Sequence, residues 1–341
     1  MNEARLGPRV QVIVLVTLVV VLAVGLSIWA PSSFPTLRNA QSMMGQIAPL
    51  GILALCIGMT FLVGGIDLSV VAVANTAAIT AAMLSSAFTP ALGSGPAVVI
   101  GVLVALVAGL AAGAINGFLV SRLRVHPIPI TLGTMSVFTG ISTGLTGGAT
   151  VYGTGALESL ATTTISVLPV PFVLFLLLVL AFAVITLKTR SGFHMYAVGE
   201  SVKVARFARL PVDRVTMTVY MCSGTLAAAA GLLMFAGTNS ANVTFASSYL
   251  MQAILIAVIA GMDPYGGAGR VWMIIVGAVA MQELQTGINM ALGSWSGSAF
   301  ASNFVWGILL IAVLGLSKWL ANRTAKVRTE DVSTDLAPST S

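Results

Sequence analysis

Long apolar runs follow one another along nearly the whole chain, separated by short polar or glycine-rich breaks. About ten of them approach the roughly 20 residues that a helix needs to cross about 30 Å of hydrocarbon. They fall near 10–30, 46–63, 68–89, 97–119, 128–147, 168–187, 215–236, 249–262, 271–291 and 300–317. Backbone groups in lipid must be satisfied within the segment, and the connecting loops are too short for a closed barrel's alternating strands, so the pattern predicts helices. The expectation is an all-α polytopic membrane protein with a short N-terminal tail (1–9), a transmembrane domain (10–317) and a disordered C-terminal tail (318–341).

Composition supports this reading. The 341 residues are 57% hydrophobic and only 8% charged, and 35 are Gly, which suits close helix packing in lipid. Arg5 and Arg9 precede a first run too long for a signal-peptide core, so it reads as an uncleaved helix. Cys56 and Cys222 fall inside predicted spans and imply no disulfide.

Basic residues favour the cytoplasmic side of short loops. With the N-terminus inside, fifteen of the sixteen Lys and Arg residues face the cytoplasm and only Arg38 falls outside. An odd number of spans would scramble that partition, and both termini are therefore expected inside. The net charge of +6 is accordingly a topology signal, and no nucleic-acid partner is implied.

Six of those basic residues lie between Lys188 and Arg214, a charged island in an otherwise apolar chain. Within it, Glu200 or Ser201 can accept N–H bonds at the first turn of a short amphipathic helix reaching Leu210, and Pro211 prevents its continuation. Lys203, Arg206 and Arg209 recur at three-residue intervals, placing the basic side chains on one side and small or apolar residues, Phe207 among them, on the other. So short a helix needs a partner surface, either a protein socket or anionic lipid headgroups.

Enzyme chemistry finds little material. Two His residues, two scattered Cys and no His-Glu-x-x-His pair give no metal site, and the chain has no Gly-Lys dipeptide and hence no phosphate-cradling P-loop. No cofactor is expected in this chain. Neutral polar residues are more frequent in the spans: Asn75, Asn116, Gln252, Gln282, Gln285 and Asn289. Each fits either interhelical hydrogen bonding or a path for a neutral polar solute, and the last three share one helix face. Glu283 is the one carboxylate well inside a span, a candidate for proton coupling that lacks ionisable partners.

Two glycine-rich turns stand on the predicted cytoplasmic side, Gly64-Gly65 with Asp67 and Met262-Asp263 with Gly266-Gly267. They fit tight interhelical turns or a gate whose aspartates bond exposed backbone or the basic island. The Pro127-Ile128-Pro129 start of the fifth span, followed by several glycines, suggests a helix packed closely or unwound in part.

Several ordered motifs then combine: Gly64-Gly65-Ile66-Asp67-Leu68-Ser69, Ala114-Ile115-Asn116-Gly117-Phe118-Leu119-Val120, Thr131-Leu132-Gly133-Thr134, Ala197-Val198-Gly199-Glu200 and Gly266-Gly267-Ala268-Gly269-Arg270-Val271-Trp272. From about residue 45 to 317 the chain resembles the permease subunits of bacterial ATP-binding-cassette sugar importers, the ribose, xylose, rhamnose and autoinducer-2 group. The resemblance implies a type II-like permease paired with a second permease subunit in the bacterial inner membrane. It also implies a cytoplasmic ABC ATPase, which carries the ATP and Mg, and a periplasmic sugar-binding protein. Residues Glu200, Ser201, Lys203, Arg206, Phe207, Arg209 and Leu210 would then belong to the coupling helix. The alternative is an ion-coupled secondary transporter, whose signature would be buried ionisable clusters and broken helices.

Overall fold

The computed structural model describes residues 8–123, 125–293, 304–313 and 315. Five helices come first: α1 (Pro8–Trp29), α2 (Leu37–Leu62), α3 (Val70–Leu92), α4 (Ser94–Leu123) and α5 (Pro127–Thr146). A short irregular stretch holds β1 (Val151–Tyr152), α6 (Glu158–Thr162), β2 (Thr164–Ile165) and β3 (Leu168–Pro169). Next are α7 (Val170–Lys188), α8 (Arg190–Glu200), α9 (Val202–Phe207) and α10 (Val212–Thr238). The chain continues with β4 (Ser240–Ala241), α11 (Tyr249–Ile259), α12 (Met273–Leu292) and α13 (Phe304–Val313). The predicted tails lie outside the described residues, apart from Pro8 and Arg9 at the start of α1.

Each of the ten predicted spans is occupied by a helix. Seven are long and apolar enough to cross a membrane, while α11 and α13 are shorter apolar helices. At 11 residues, α11 rises only about 16 Å, half of a bilayer core. The remaining helix, α12, has full length but is not among the seven, because Gln282, Glu283, Gln285 and Asn289 interrupt its apolar run.

The centre of the bundle is α2, buried on every side from Ile47 to Leu62. Apolar all round, it needs other helices on all faces. Thr36 starts it by accepting the Asn39 N–H at 3.2 Å, and Pro49 lies inside it. Against α2 and α3 lies α10, which also crosses α4 along a stripe of small residues. Gly109, Gly113 and Gly117 of α4 recur every fourth residue, and a Cβ on Gly113 would strike the Tyr220 carbonyl of α10. In return, a Cβ on Gly224 of α10 would strike the Gly109 carbonyl. Such backbone-to-backbone approach is how helices gain packing in lipid, where no hydrophobic force draws them together.

The glycines of α5 behave differently from expectation. The helix is continuous, entered through His126 Nδ1 accepting the Ile128 N–H at 3.4 Å, with Pro127 in its first turn. Gly133, Gly140 and Gly144 have open space where a Cβ would stand, so α5 is neither closely packed there nor unwound. Segments 149–166 and 237–248 are brought together as β1 pairs antiparallel with β4, Val151 opposite Ala241.

Candidate functional site

The helix expected from Glu200 to Leu210 is shorter, α9 spanning only Val202–Phe207, and a second helix, α8, precedes it within the charged island. Glu200 closes α8, and Ser201 is the N-cap of α9, its Oγ accepting the Val204 N–H at 3.3 Å. The stop comes before Pro211. Arg209 takes a left-handed backbone (φ 56°), the Arg209 N–H reaches the Arg206 carbonyl at 3.0 Å, and the Leu210 N–H reaches the Ala205 carbonyl at 3.0 Å. That is a Schellman ending with Arg where Gly is usual. Pro211 instead caps the start of α10.

The expected division of faces is also corrected. Only Ala205 turns inward, while Val202, Val204 and Phe207 are exposed together with Lys203, Arg206 and Arg209. Phe207 is 80% exposed, the second-largest exposure among the large apolar side chains of the described residues. Arg206 is ion-paired with Asp213 at 2.7 Å, an interaction that sequence spacing did not suggest. The outward surface of α9 is thus mixed, apolar and basic, and Leu210 is half-buried.

The root of α9 is fixed backbone to backbone. A Cβ on Gly199 would strike the Leu62 carbonyl and the Gly267 N–H, and one on Gly266 would strike Gly199 and Gly64. Gly267 would likewise meet Glu200, and its N–H donates to the Leu62 carbonyl at 3.2 Å. The Tyr196 hydroxyl of α8 donates to the Gly269 carbonyl at 2.8 Å, and burial pushes that phenol above its usual value, so it stays protonated as a donor. Gly64, Gly266 and Gly267 all have positive φ, which their lack of a Cβ permits. Three segments therefore meet at one joint: the end of α2, the junction of α8 and α9, and loop 261–270.

Beside this joint the aspartates take different roles. Asp263 serves its own loop, its Oδ1 accepting the Tyr265 N–H at 2.9 Å. Asp67 does not meet the basic island. It is 1% exposed, with Oδ1 accepting the Ser69 N–H (3.1 Å) and hydroxyl (2.6 Å) and Oδ2 accepting the Ser223 hydroxyl (3.0 Å). Asn116 donates to the Ser69 hydroxyl at 2.7 Å, while the Thr131 hydroxyl donates to the Ile66 carbonyl at 3.0 Å. Gly65 lies directly against the Tyr220 hydroxyl. The turn between α2 and α3 is so bonded to α4, α5 and α10.

The neutral polar residues divide into three places. Asn116 belongs to the Asp67 cluster. Asn75 holds the 243–246 segment, donating to the Val243 carbonyl at 2.7 Å and accepting the Ala246 N–H at 2.8 Å. The other four lie on and against α12 in two separate hydrogen-bonded sets: Gln282 donates to Gln46 of α2 (3.2 Å), while Gln252 of α11 donates to Gln285 (3.4 Å) and Gln285 to Asn289 (3.1 Å). Gln46 extends the first set to Ser42 at 3.0 Å and was not singled out by the sequence, since it lies at the start of its span. One set runs from buried Gln282 to exposed Gln46, the other from buried Gln252 to exposed Asn289.

The family model for the branched-chain amino acid transport system permease component matches residues 39–314. An autoinducer 2 import system permease protein LsrD of Yersinia pseudotuberculosis serotype O:3 (strain YPIII) is 32% identical over 293 residues, covering 81% of this chain and 85% of the relative. The LsrD of Photorhabdus luminescens is 34% identical over 276 residues, covering 79% and 80%. That of Yersinia pestis (strain Pestoides F) is 32% identical over 293 residues, again covering 81% and 85%. No solved structure matches this chain.

Proposed function

Because this chain belongs to the family of transport-system permease components, we propose that it is the membrane-spanning subunit of an ATP-driven importer for a sugar or an autoinducer-2-like solute. A cytoplasmic ABC ATPase would dock on α9, a second permease would complete the path, and a periplasmic binding protein would deliver the solute. The setting is a bacterial inner membrane with both termini cytoplasmic.

The joint at the root of α9 carries this reading. A six-residue helix displays Phe207 outward, and its root is locked through Gly199, Gly266 and Gly267 to the end of α2. A force on α9 is transmitted to α2 and to the Asp67 turn because close-packed backbone cannot yield locally. The exposed Phe207 beside basic residues suits a protein groove, where a buried aromatic anchors the contact.

The remaining features fit the same reading. The two amide sets, Gln46 with Gln282 and Gln252 with Gln285 and Asn289, offer donors and acceptors without charge, suited to a hydroxylated solute that is held weakly in transit. The open face of α5, with Gly133, Gly140 and Gly144, suits a second permease copy or relative. The β1–β4 pair, with Tyr152 70% exposed, offers an external contact for a binding protein.

Co-purification tests the docking claim. Phe207→Asp, and Arg206→Glu combined with Arg209→Glu, should each release the ATPase from the solubilised complex and abolish uptake. Retention of the ATPase together with normal uptake in both variants would refute it.

A further inference from the structure

A cavity of about 420 Å³ opens between the α1–α2 connection, α2, the start of α7 and α12. Phe34, Met43, Met44, Phe172 and Val279 supply apolar wall, and Glu283 supplies a carboxyl group. Its size falls within the roughly 300–1,000 Å³ typical of small-molecule sites. Glu283 is 6% exposed and makes no hydrogen bond among the described residues, its Oε2 being buried without a partner.

Nearby groups among the described residues do not supply the missing partner. Thr36, the one hydroxyl of the wall among the described residues, donates to the Ser33 carbonyl at 3.1 Å and accepts the Asn39 N–H as N-cap. Gln282 is committed to Gln46 and Thr286. Arg38, in the first turn of α2, is exposed and is not part of the wall. A buried carboxyl group without donors is costly, so a ligand that brings N–H donors and positive charge to it gains most. Around it, Phe rings and adaptable Met side chains favour an apolar body and tolerate a cation.

We infer that this cavity binds an ammonium group carried on an apolar body, with Glu283 as its counter-charge. Two sources share that chemistry, a free amine and the ethanolamine headgroup of a lipid. The inference concerns binding and stands apart from the transport reading.

The test uses the purified full-length protein in maltoside micelles, titrated calorimetrically with 2-phenylethylamine and with its neutral counterpart 2-phenylethanol. The amine should bind more tightly by roughly tenfold or more, since a charge-assisted hydrogen bond contributes at least about 1.5 kcal/mol. Glu283→Gln should erase that preference. Ala40→Trp, which fills the cavity and leaves the carboxyl group in place, should abolish binding of both compounds. Added phosphatidylethanolamine should weaken the amine's apparent affinity if the lipid is the natural occupant and leave it unchanged if a free amine is; either result supports the site. Equal affinity for amine and alcohol, a preference surviving in Glu283→Gln, or no amine binding would overturn the inference.

Discussion

Ser223 donates its hydroxyl to Asp67 Oδ2 across 3.0 Å, joining the middle of α10 to the turn between α2 and α3. The other carboxyl oxygen gathers Ser69, and Ser69 in turn gathers Asn116 from α4. One aspartate thereby sets the relative position of the three helices that make the tightest contacts of the bundle, next to the joint from which α9 projects.

Removing that aspartate leaves buried hydroxyls without acceptors. Asp67→Ala should cost on the order of 1–3 kcal/mol for each orphaned group, seen as a lowered unfolding midpoint in detergent. Ser223→Ala, which removes one donor and leaves Asp67 bonded to Ser69, should cost less. Equal unfolding midpoints for wild type and Asp67→Ala would show that the cluster does not hold the helices.

The glycines of α4 and α5 should respond in opposite ways. Gly113→Ala places a methyl group against the Tyr220 carbonyl and should destabilise the chain by about 1–3 kcal/mol through overpacking. Gly140→Ala meets open space and should be neutral, or stabilising by up to about 1 kcal/mol, because Ala is the better helix former. Gly140→Leu should weaken pairing with a second permease while leaving monomer unfolding unchanged, as read by cross-linking and thermal denaturation.

Arg209 closes α9 in a conformation that costs a non-glycine residue roughly 1 kcal/mol. Arg209→Gly should relieve that cost and slow hydrogen exchange at the amides of Arg209 and Leu210, which donate back into α9. Faster exchange in the variant would mean that the arginine side chain, rather than the turn, stabilises the helix end.

Glu283 faces the apolar cavity and makes no hydrogen bond among the described residues, which is poor machinery for a proton relay. Glu283→Gln should therefore leave the pH profile of uptake unchanged. A shifted profile, measured in cells with matched expression, would bring proton coupling back.

Much of this architecture was legible from local pattern. Apolar length located the seven helices long enough to cross a membrane, and the island from Lys188 to Arg214 stood out by charge alone. What could not be read depends on through-space approach. Nothing local in Gly199 says that it touches Leu62 and Gly267, which lie at distant positions in the chain. The glycines of α5 and α4 look alike in sequence, yet one stripe is open and the other pressed on α10. Arg206 and Arg209 were grouped by spacing, but a left-handed turn at Arg209 and the Asp213 partner of Arg206 separate their roles. The shared face of Gln282, Gln285 and Asn289 was visible at helical spacing, whereas the separate bonds of Gln285 to Gln252 and of Gln282 to Gln46 required the packing of α2, α11 and α12.

The central claim is that ATP hydrolysed in another subunit drives movement in this one through α9. Solute uptake measured in cells depleted of ATP, with the proton and sodium gradients held constant, tests it most directly. Uptake should stop when ATP is exhausted and resume when it is restored. Uptake that continues without ATP and collapses only when an ion gradient is dissipated would contradict the account and identify a secondary carrier.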